Sequence, residues 1–462
     1  MSNRIFDNMR DWLAHLAATD RVAVIRDNVS LEFELAAIAK RLDGVKAAFF
    51  PHPGGHAIPV VSGFMSKRAW IAEALGVREG DLLQHVRRAV ESPLPWREVQ
   101  ADAAPAQQVV HDHVDIRTLL PIPRHNEHDS APYISAGLVI ARNPKTGVQN
   151  VSINRIQINA PDRMAMLILP RHLHAFHGAA EEAGESLPVA VVIGASPAAL
   201  LASQAVLPID HDELTVAGAL EREPLQVVKC QTSEVRVPAL SEIVIEGHLL
   251  PGARELEGPF GEFPKYYSPQ EKREVIAIDR VTHRRNPIYH TIVPAAMEHL
   301  LLGGIPREAT LLSHLKRSFP NVTDVHLAVG GVCRYHLYVQ MKKAREGEPK
   351  NVIMGAFGGH YDIKQVIVVD EDVDVHDSEQ VEWAVATRFQ PDRDLVVVSG
   401  AQGSILDPST DRGIGAKWGL DATRPLQYEG LSFTKVHIPG EESVDLEQAV
   451  VGGTSALRDY LG

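Results

Sequence analysis

Residues 255–267 read Glu-Leu-Glu-Gly-Pro-Phe-Gly-Glu-Phe-Pro-Lys-Tyr-Tyr. Pro259 and Pro264 each remove a backbone donor, and Gly258 and Gly261 favour turn conformations, so the run cannot continue as a helix. It also holds three carboxylates, Glu255, Glu257 and Glu262, among the aromatics Phe260, Phe263, Tyr266 and Tyr267. A rigid aromatic turn carrying acids suits general acid–base chemistry. Taken alone, it equally suits a tight surface loop with solvated glutamates.

The flanking chain changes character twice. Up to residue 90 the pattern reads as a small α/β unit. Helices are predicted over 5–19, 31–42, 67–75 and 80–89, and strands over 21–26, 47–50 and 57–61. A Pro/Ala-rich stretch, 93–108, follows as a boundary. From 109 to about 294, short β-rich runs dominate (138–141, 148–158, 189–193, 225–228, 235–237, 243–245, 276–280), interrupted by helices near 171–182 and 197–204. Many short strands at close spacing predict a barrel or sandwich. Beyond about 303, helices (309–316, 379–388) alternate with strands (325–328, 336–340, 352–356, 366–369, 395–399), an α/β layer. A last helix is predicted near 447–460. The division is 1–107, 108–300, 301–440 and a C-terminal segment 441–462; with 462 residues, about three domains of roughly 150 are expected.

Composition narrows the function classes. With 46 Lys+Arg against 59 Asp+Glu the chain carries a net charge of −13, which opposes non-specific binding to nucleic acid or anionic membrane but leaves room for a small anion in a local basic pocket. The two cysteines, Cys230 and Cys333, make neither a disulfide framework nor a Cys-based zinc site. A polar N-terminus and no apolar run near the ~20 residues of a membrane span predict a cytoplasmic protein.

Several clusters could carry chemistry. In residues 150–158 the apolar parity switches, and Arg155 falls on the face that Val151 and Ile153 mark as buried. A buried arginine needs a carboxylate or phosphate partner, in a site or in a structural salt bridge. The run 170–177 holds His172, His174 and His177, but its spacing is no closed zinc pattern, and at least two of the three are expected at the surface. Residues 210–213, Asp-His-Asp-Glu, read as a helix cap or loop. Residues 370–377 fail as a calcium loop, because Val375 and Val381 stand where glycine and glutamate are required; a strand end and a helix cap fit better. Residues 413–419, glycine-rich with Lys417, match neither the Rossmann nor the P-loop spacing yet could cradle a phosphate.

In order along the chain, Asn150 to Arg155, Pro170 to His172, Asp212-Glu213, Glu257-Gly-Pro-Phe-Gly-Glu262 and Lys417-Trp-Gly-Leu-Asp-Ala-Thr423 resemble the UbiD family of prenylated-FMN-dependent decarboxylases. The resemblance implies an α+β fold: an N-terminal α/β unit, a central split β-barrel-like flavin-binding domain and a C-terminal α/β oligomerisation domain. It implies that Asn150, His172 and Glu213 bind Mn2+ (or Mg2+), that Ala202, Ser203, Ala205 and Glu213 bind K+, and that Lys417 meets the cofactor phosphate. Ser152, Ile153, Asn154, Arg155 and Arg171 would complete the cofactor site.

Arg155, Glu257 and Glu262 would then be catalytic. Arg155, paired with Glu257, orients the substrate carboxylate, and Glu262 donates the proton. Glu255 drops out as a solvated neighbour. Ile168, Arg171, His299 and Leu301 would face the substrate, and Arg with His there favours a polar aromatic or heteroaromatic acid; Arg171 at a helix start equally well points to solvent. The implied activity is reversible non-oxidative decarboxylation of an aromatic, heteroaromatic or α,β-unsaturated acid. A flavin prenyltransferase would supply the cofactor, and the assembly would be a homodimer or homohexamer. The alternatives are a split-barrel flavin reductase, a metal-dependent hydrolase or a subunit of a larger carboxylase.

Overall fold

The computed structural model describes residues 5–450 and 452–461. Its N-terminal unit is a four-stranded sheet, Val22–Val24, Ala47–Phe50, Val60–Ser62 and Tyr289–His290, packed by the helices Met9–Ala18, Glu34–Leu42, Arg68–Ala74 and Leu82–Glu91. The fourth strand comes from far along the chain and pairs in parallel with Val60–Ser62. The first unit is therefore closed by residues beyond its expected boundary at 107.

A nine-stranded sheet forms the centre. Its two long strands, Ile243–Glu257 and Glu271–His283, run antiparallel. They extend well past the expected 243–245 and 276–280, because their outer ends, with Arg254, Glu255 and Glu257 in one and Glu271-Lys-Arg-Glu274 in the other, are charged and form no apolar block. The expected single run 148–158 is two strands, Gln149–Ile153 and Ile156–Ala160. The change of parity marks the break. Gln149–Ile153 pairs with Leu138–Arg142 at one end of the sheet. Ile156–Ala160 pairs with Tyr133–Ile134 and Arg163–Met166 towards the other. Only Asn154 and Arg155 join them, a link that spans at most about 11 Å. The sheet must curl until its two ends nearly meet, and Arg155 sits in the seam. The hydrogen-bonded path stays open, so the sheet is curled but unclosed among the described residues.

The C-terminal layer is a five-stranded sheet, ordered Val322–Leu327, His336–Met341, Gln365–Asp370, Ile414–Asp421, Leu395–Gln402. Residues expected as a strand at 352–356 lie within the helix Glu348–Gly359. Pro349 opens that helix and Pro349, Val352, Ile353 and Ala356 form its buried face, a helical spacing that outweighs the β-preference of Val352 and Ile353. The glycine-rich run around Lys417 is a strand. The 22-residue helix Met297–Ser318 starts against the N-terminal unit, where Glu298 accepts from the N–H groups of Gly63 and Met65, and continues into this layer; His299, Leu302 and Gly303 in its first turns line the same cavity as Arg155. At the C-terminus, Leu446–Ala449 and Thr454–Leu461 replace one expected helix; Val451, within it, lies outside the described residues.

Candidate active site

The strand Ile243–Glu257 ends at Glu257, and the chain then makes a small hairpin in which Phe260–Gly261 pairs with Tyr267–Ser268. Glu257 is fully buried. It accepts two parallel hydrogen bonds from Arg155, Nε to Oε1 at 2.9 Å and Nη2 to Oε2 at 2.8 Å. The Tyr133 hydroxyl adds a third at 3.2 Å. Arg155 Nη1 makes a short bond to Glu262, and the guanidinium lies over the Phe260 ring, 5.5 Å from its centroid. Of the five N–H donors of arginine three are thus used, and one hydrogen on each Nη remains free.

Burial alone would depress the Arg155 pKa; Glu262 and Glu257 outweigh it and hold it above the ordinary arginine value. Glu262 is pushed up from the carboxylate range chiefly by burial, helped by Glu257 and opposed by Arg155. Glu255 lies outside this cluster, held by Asn159 at 2.8 Å and Arg163 at 3.1 Å.

Beside Glu262 opens a cavity of about 180 Å³. Ile153, Asn154 and Arg155 from the seam and Phe260, Glu262 and Phe263 from the hairpin form one wall. His299, Leu302, Gly303 and Arg307 from the long helix, with Arg334, form another. The cavity excludes several expected neighbours. Leu167 and Leu169 line it and Ile168 packs into the core, because alternate residues of an extended chain point to opposite sides. Leu302 faces it in place of Leu301, which is a core residue. Arg171 is exposed at the start of the helix His172–Glu182 and reaches the Tyr361 hydroxyl at 3.4 Å. Gln204, Arg307 and Arg334 line the cavity too and went unread in the sequence, where no motif marks them.

The residues expected at the cofactor's phosphate and metals lie elsewhere. Lys417 is buried, donates to the carbonyls of Tyr361 and Ile363 at 2.7 Å each, and has its pKa lowered by burial. Asp212 caps the helix Glu213–Glu221 by accepting from Leu214 N–H at 2.9 Å. Glu213, first in that helix, is buried and accepts from Val151 N–H at 2.7 Å, beside Asn150 in the strand Gln149–Ile153. Among the described residues no cation pairs with it, and burial pushes it up to about 8. A buried carboxylate without a countercharge, next to a buried asparagine, fits a divalent metal with oxygen ligands. His172 opens the helix His172–Glu182, partly buried and with a lowered pKa from burial. Ser203 is buried at the end of the helix Pro197–Ala202, where Ala202 accepts from Ala205 N–H at 2.9 Å. Among the described residues no three His, Cys, Asp or Glu cluster as a metal site. His177 is buried with neither ring nitrogen bonded, whereas His174 is exposed.

An arginine locked between a fully buried glutamate and a part-buried one biased towards its acid form, beside a small cavity and a curled sheet, makes an acid–base site. Family comparison agrees along the chain. Residues 13–90, 97–297 and 300–422 match the N-terminal, Rift-related and C-terminal domain models of 3-octaprenyl-4-hydroxybenzoate carboxy-lyase. The chain belongs to the UbiD family of carboxy-lyases. It is 39% identical to an anhydromevalonate phosphate decarboxylase of Methanothermobacter thermautotrophicus, over 90% of this chain and 97% of that protein. It is 32% identical to the gallate decarboxylase of Lactiplantibacillus plantarum, over 82% of this chain and 84% of that one. The solved UbiD-class enzyme HmfF from Pelotomaculum thermopropionicum, in complex with FMN, superimposes with a TM-score of 0.94 at 47% identity, covering 96% of this chain and 100% of HmfF. An evolved dimeric form of HmfF has been solved with prFMN. Among the described residues no helix is long and apolar enough to cross a membrane.

Proposed function

We propose that the protein is a reversible, non-oxidative decarboxylase of a small polar aromatic or heteroaromatic acid that uses prenylated FMN. The carrying observation is the Glu257–Arg155–Glu262 relay at the edge of a small cavity. When bound, the cofactor supplies the electron sink that holds the pair left behind as the C–CO2 bond breaks.

The protein's own groups do the rest. Glu257 fixes the plane of Arg155, whose free Nη hydrogens orient the substrate carboxylate. Phe260 and Phe263 keep water from the reacting carbon. Glu262 delivers a proton to the carbon that lost CO2 and regains one from solvent; in the reverse direction it removes that proton. Burial favours its acid form, as a donor requires. Asn150, His172 and Glu213 would hold Mn2+ or Mg2+, Ala202, Ser203, Ala205 and Glu213 would hold K+, and Lys417 would meet the cofactor's phosphate. The open curled sheet fits the split-barrel reading of the flavin domain.

The apolar residues Val397, Ile405 and Ile414, with Trp418, are exposed on the C-terminal sheet and its loops, which supports a homo-oligomer built through that layer. The test is the E262Q variant, assayed for CO2 release and for substrate binding. The proposal requires binding to survive and CO2 release to fail; a variant with undiminished CO2 release removes Glu262 from the mechanism.

A further inference from the structure

Beyond Arg155, Glu257 has one further side-chain donor, the Tyr133 hydroxyl, 3.2 Å from its Oε1. Tyr133 and Gln157 are direct partners in adjacent antiparallel strands, so their side chains share a face. Both are buried. The Gln157 amide is fixed by its nitrogen, which donates to Asn159 Oδ1 at 2.8 Å and to the Leu256 carbonyl at 3.2 Å, so Oε1 turns to the hydroxyls.

Tyr133 has one hydroxyl hydrogen and two acceptors within reach, Gln157 Oε1 at 2.7 Å and Glu257 Oε1 at 3.2 Å. Ser130, at the surface, has its hydroxyl 2.6 Å from the same Gln157 oxygen and 3.2 Å from the Tyr133 hydroxyl. The hydrogens therefore have two arrangements. In one, Ser130 donates to Gln157 and Tyr133 donates to Glu257. In the other, Ser130 donates to Tyr133 and Tyr133 to Gln157, and Glu257 is left to Arg155 alone. Gly258 N–H bridges the Tyr133 and Gln157 oxygens in both, at 3.1 and 2.9 Å. A charged acceptor forms the stronger bond, so an ionised Glu257 selects the first arrangement. Burial, and then the charge of Glu257, push the Tyr133 hydroxyl well above the ordinary phenol range, so it stays a donor.

One guanidinium between two carboxyl groups leaves a single proton to be placed on one of them. Arg155 gives Glu257 two bonds and Glu262 one, and the Phe263 N–H also favours the charged form of Glu262. Two donors then stand against two, and Tyr133 is the third for Glu257. The other charged neighbour of Glu257 is Glu271, its partner in the adjacent strand, which is exposed.

We propose that Tyr133, backed by Ser130 and Gln157, is a positioning residue that keeps the negative charge on Glu257 and so leaves the shared proton on Glu262. This rests on the decarboxylase reading and deepens it. Tyr133 acts through Glu257 and sets which of two equivalent carboxyl groups is the acid.

The experiment compares wild type and Y133F, both loaded with the prenylated flavin, for CO2 release across pH and for hydrogen–deuterium exchange into the decarboxylated product. In Y133F part of the proton moves to Glu257. The low-pH plateau of kcat is expected to fall by roughly 10-fold, the worth of one hydrogen bond to a charged group, with KM nearly unchanged because Arg155 stays in place. Exchange starts from ionised Glu262 acting as base. Above the alkaline limb both carboxyl groups are charged, so exchange there is expected at the wild-type rate, whereas a merely loosened site loses both activities. 3-Fluorotyrosine at position 133, a stronger donor of nearly the same size, is expected to hold or raise the plateau and serves if Y133F does not fold.

A folded Y133F with an undiminished plateau overturns the role of Tyr133, as does one that loses exchange in equal measure, or a fluorotyrosine protein with a lowered plateau. In those cases the decarboxylase reading survives. Wild-type protein that releases no CO2 from any aryl or heteroaryl acid removes that reading, and the role of Tyr133 with it.

Discussion

Arg155 grips Glu257 through two parallel bonds of 2.9 and 2.8 Å while its remaining nitrogen reaches Glu262, so one guanidinium joins a fully buried carboxylate to one at the cavity edge. The pairing is possible because Arg155 sits in the two-residue seam between the strands Gln149–Ile153 and Ile156–Ala160, and Glu257 ends the strand Ile243–Glu257.

Breaking the pair leaves Glu257 buried and uncompensated. R155M is expected to lower stability by about 3–5 kcal/mol and to abolish turnover. Urea denaturation of the variant checks this; a loss under about 1 kcal/mol contradicts a dry, tightly paired site.

The acid form of Glu262 is the working form. Burial raises its pKa, so the donor ionises only as pH climbs through that raised value, and decarboxylation falls on the alkaline side. E262Q is expected to lower kcat by about 10²- to 10⁴-fold and to leave no trace of that alkaline limb. The pH–rate profile of kcat for both proteins checks the sign.

Glu213 has a backbone partner but no cation. Saturating Mn2+ is expected to stabilise the wild type by about 2–4 kcal/mol at 100 to 1,000 times the dissociation constant. E213Q keeps a carbonyl oxygen for Val151 N–H and loses the charge, so thermal unfolding should shift with metal in the wild type and far less in the variant.

On the C-terminal sheet, Val397 is 57% and Ile414 59% exposed. If these cover a subunit contact, V397E with I414E shifts the protein to a smaller species in light scattering. An unchanged mass places the contact elsewhere.

Much of this was legible in the sequence, unevenly. The parity switch at residues 150–158 announced a buried arginine, and the structure supplies its partners. The turn after Glu257 was readable from its prolines and glycines; its pairing as a hairpin was not. The cap at Asp212 was readable, but the helix behind it was not, because Glu213–Glu221 is buried nearly all round and shows little amphipathic contrast. Expected pocket positions slipped to their neighbours at Ile168 and Leu301, since motif order fixes which segment reaches a site but not which side of it turns inward. Arg307 and Arg334 stayed hidden because their meaning depends on a helix and a loop brought together by tertiary packing.

The most direct test is CO2 release from polar aryl and heteroaryl acids, including diacids, by protein made with and without a flavin prenyltransferase. Release that requires the prenyltransferase, and that E262Q abolishes, is the result expected here. Equal release from protein made without it, or no release from any acid by protein carrying the prenylated flavin, would contradict the account.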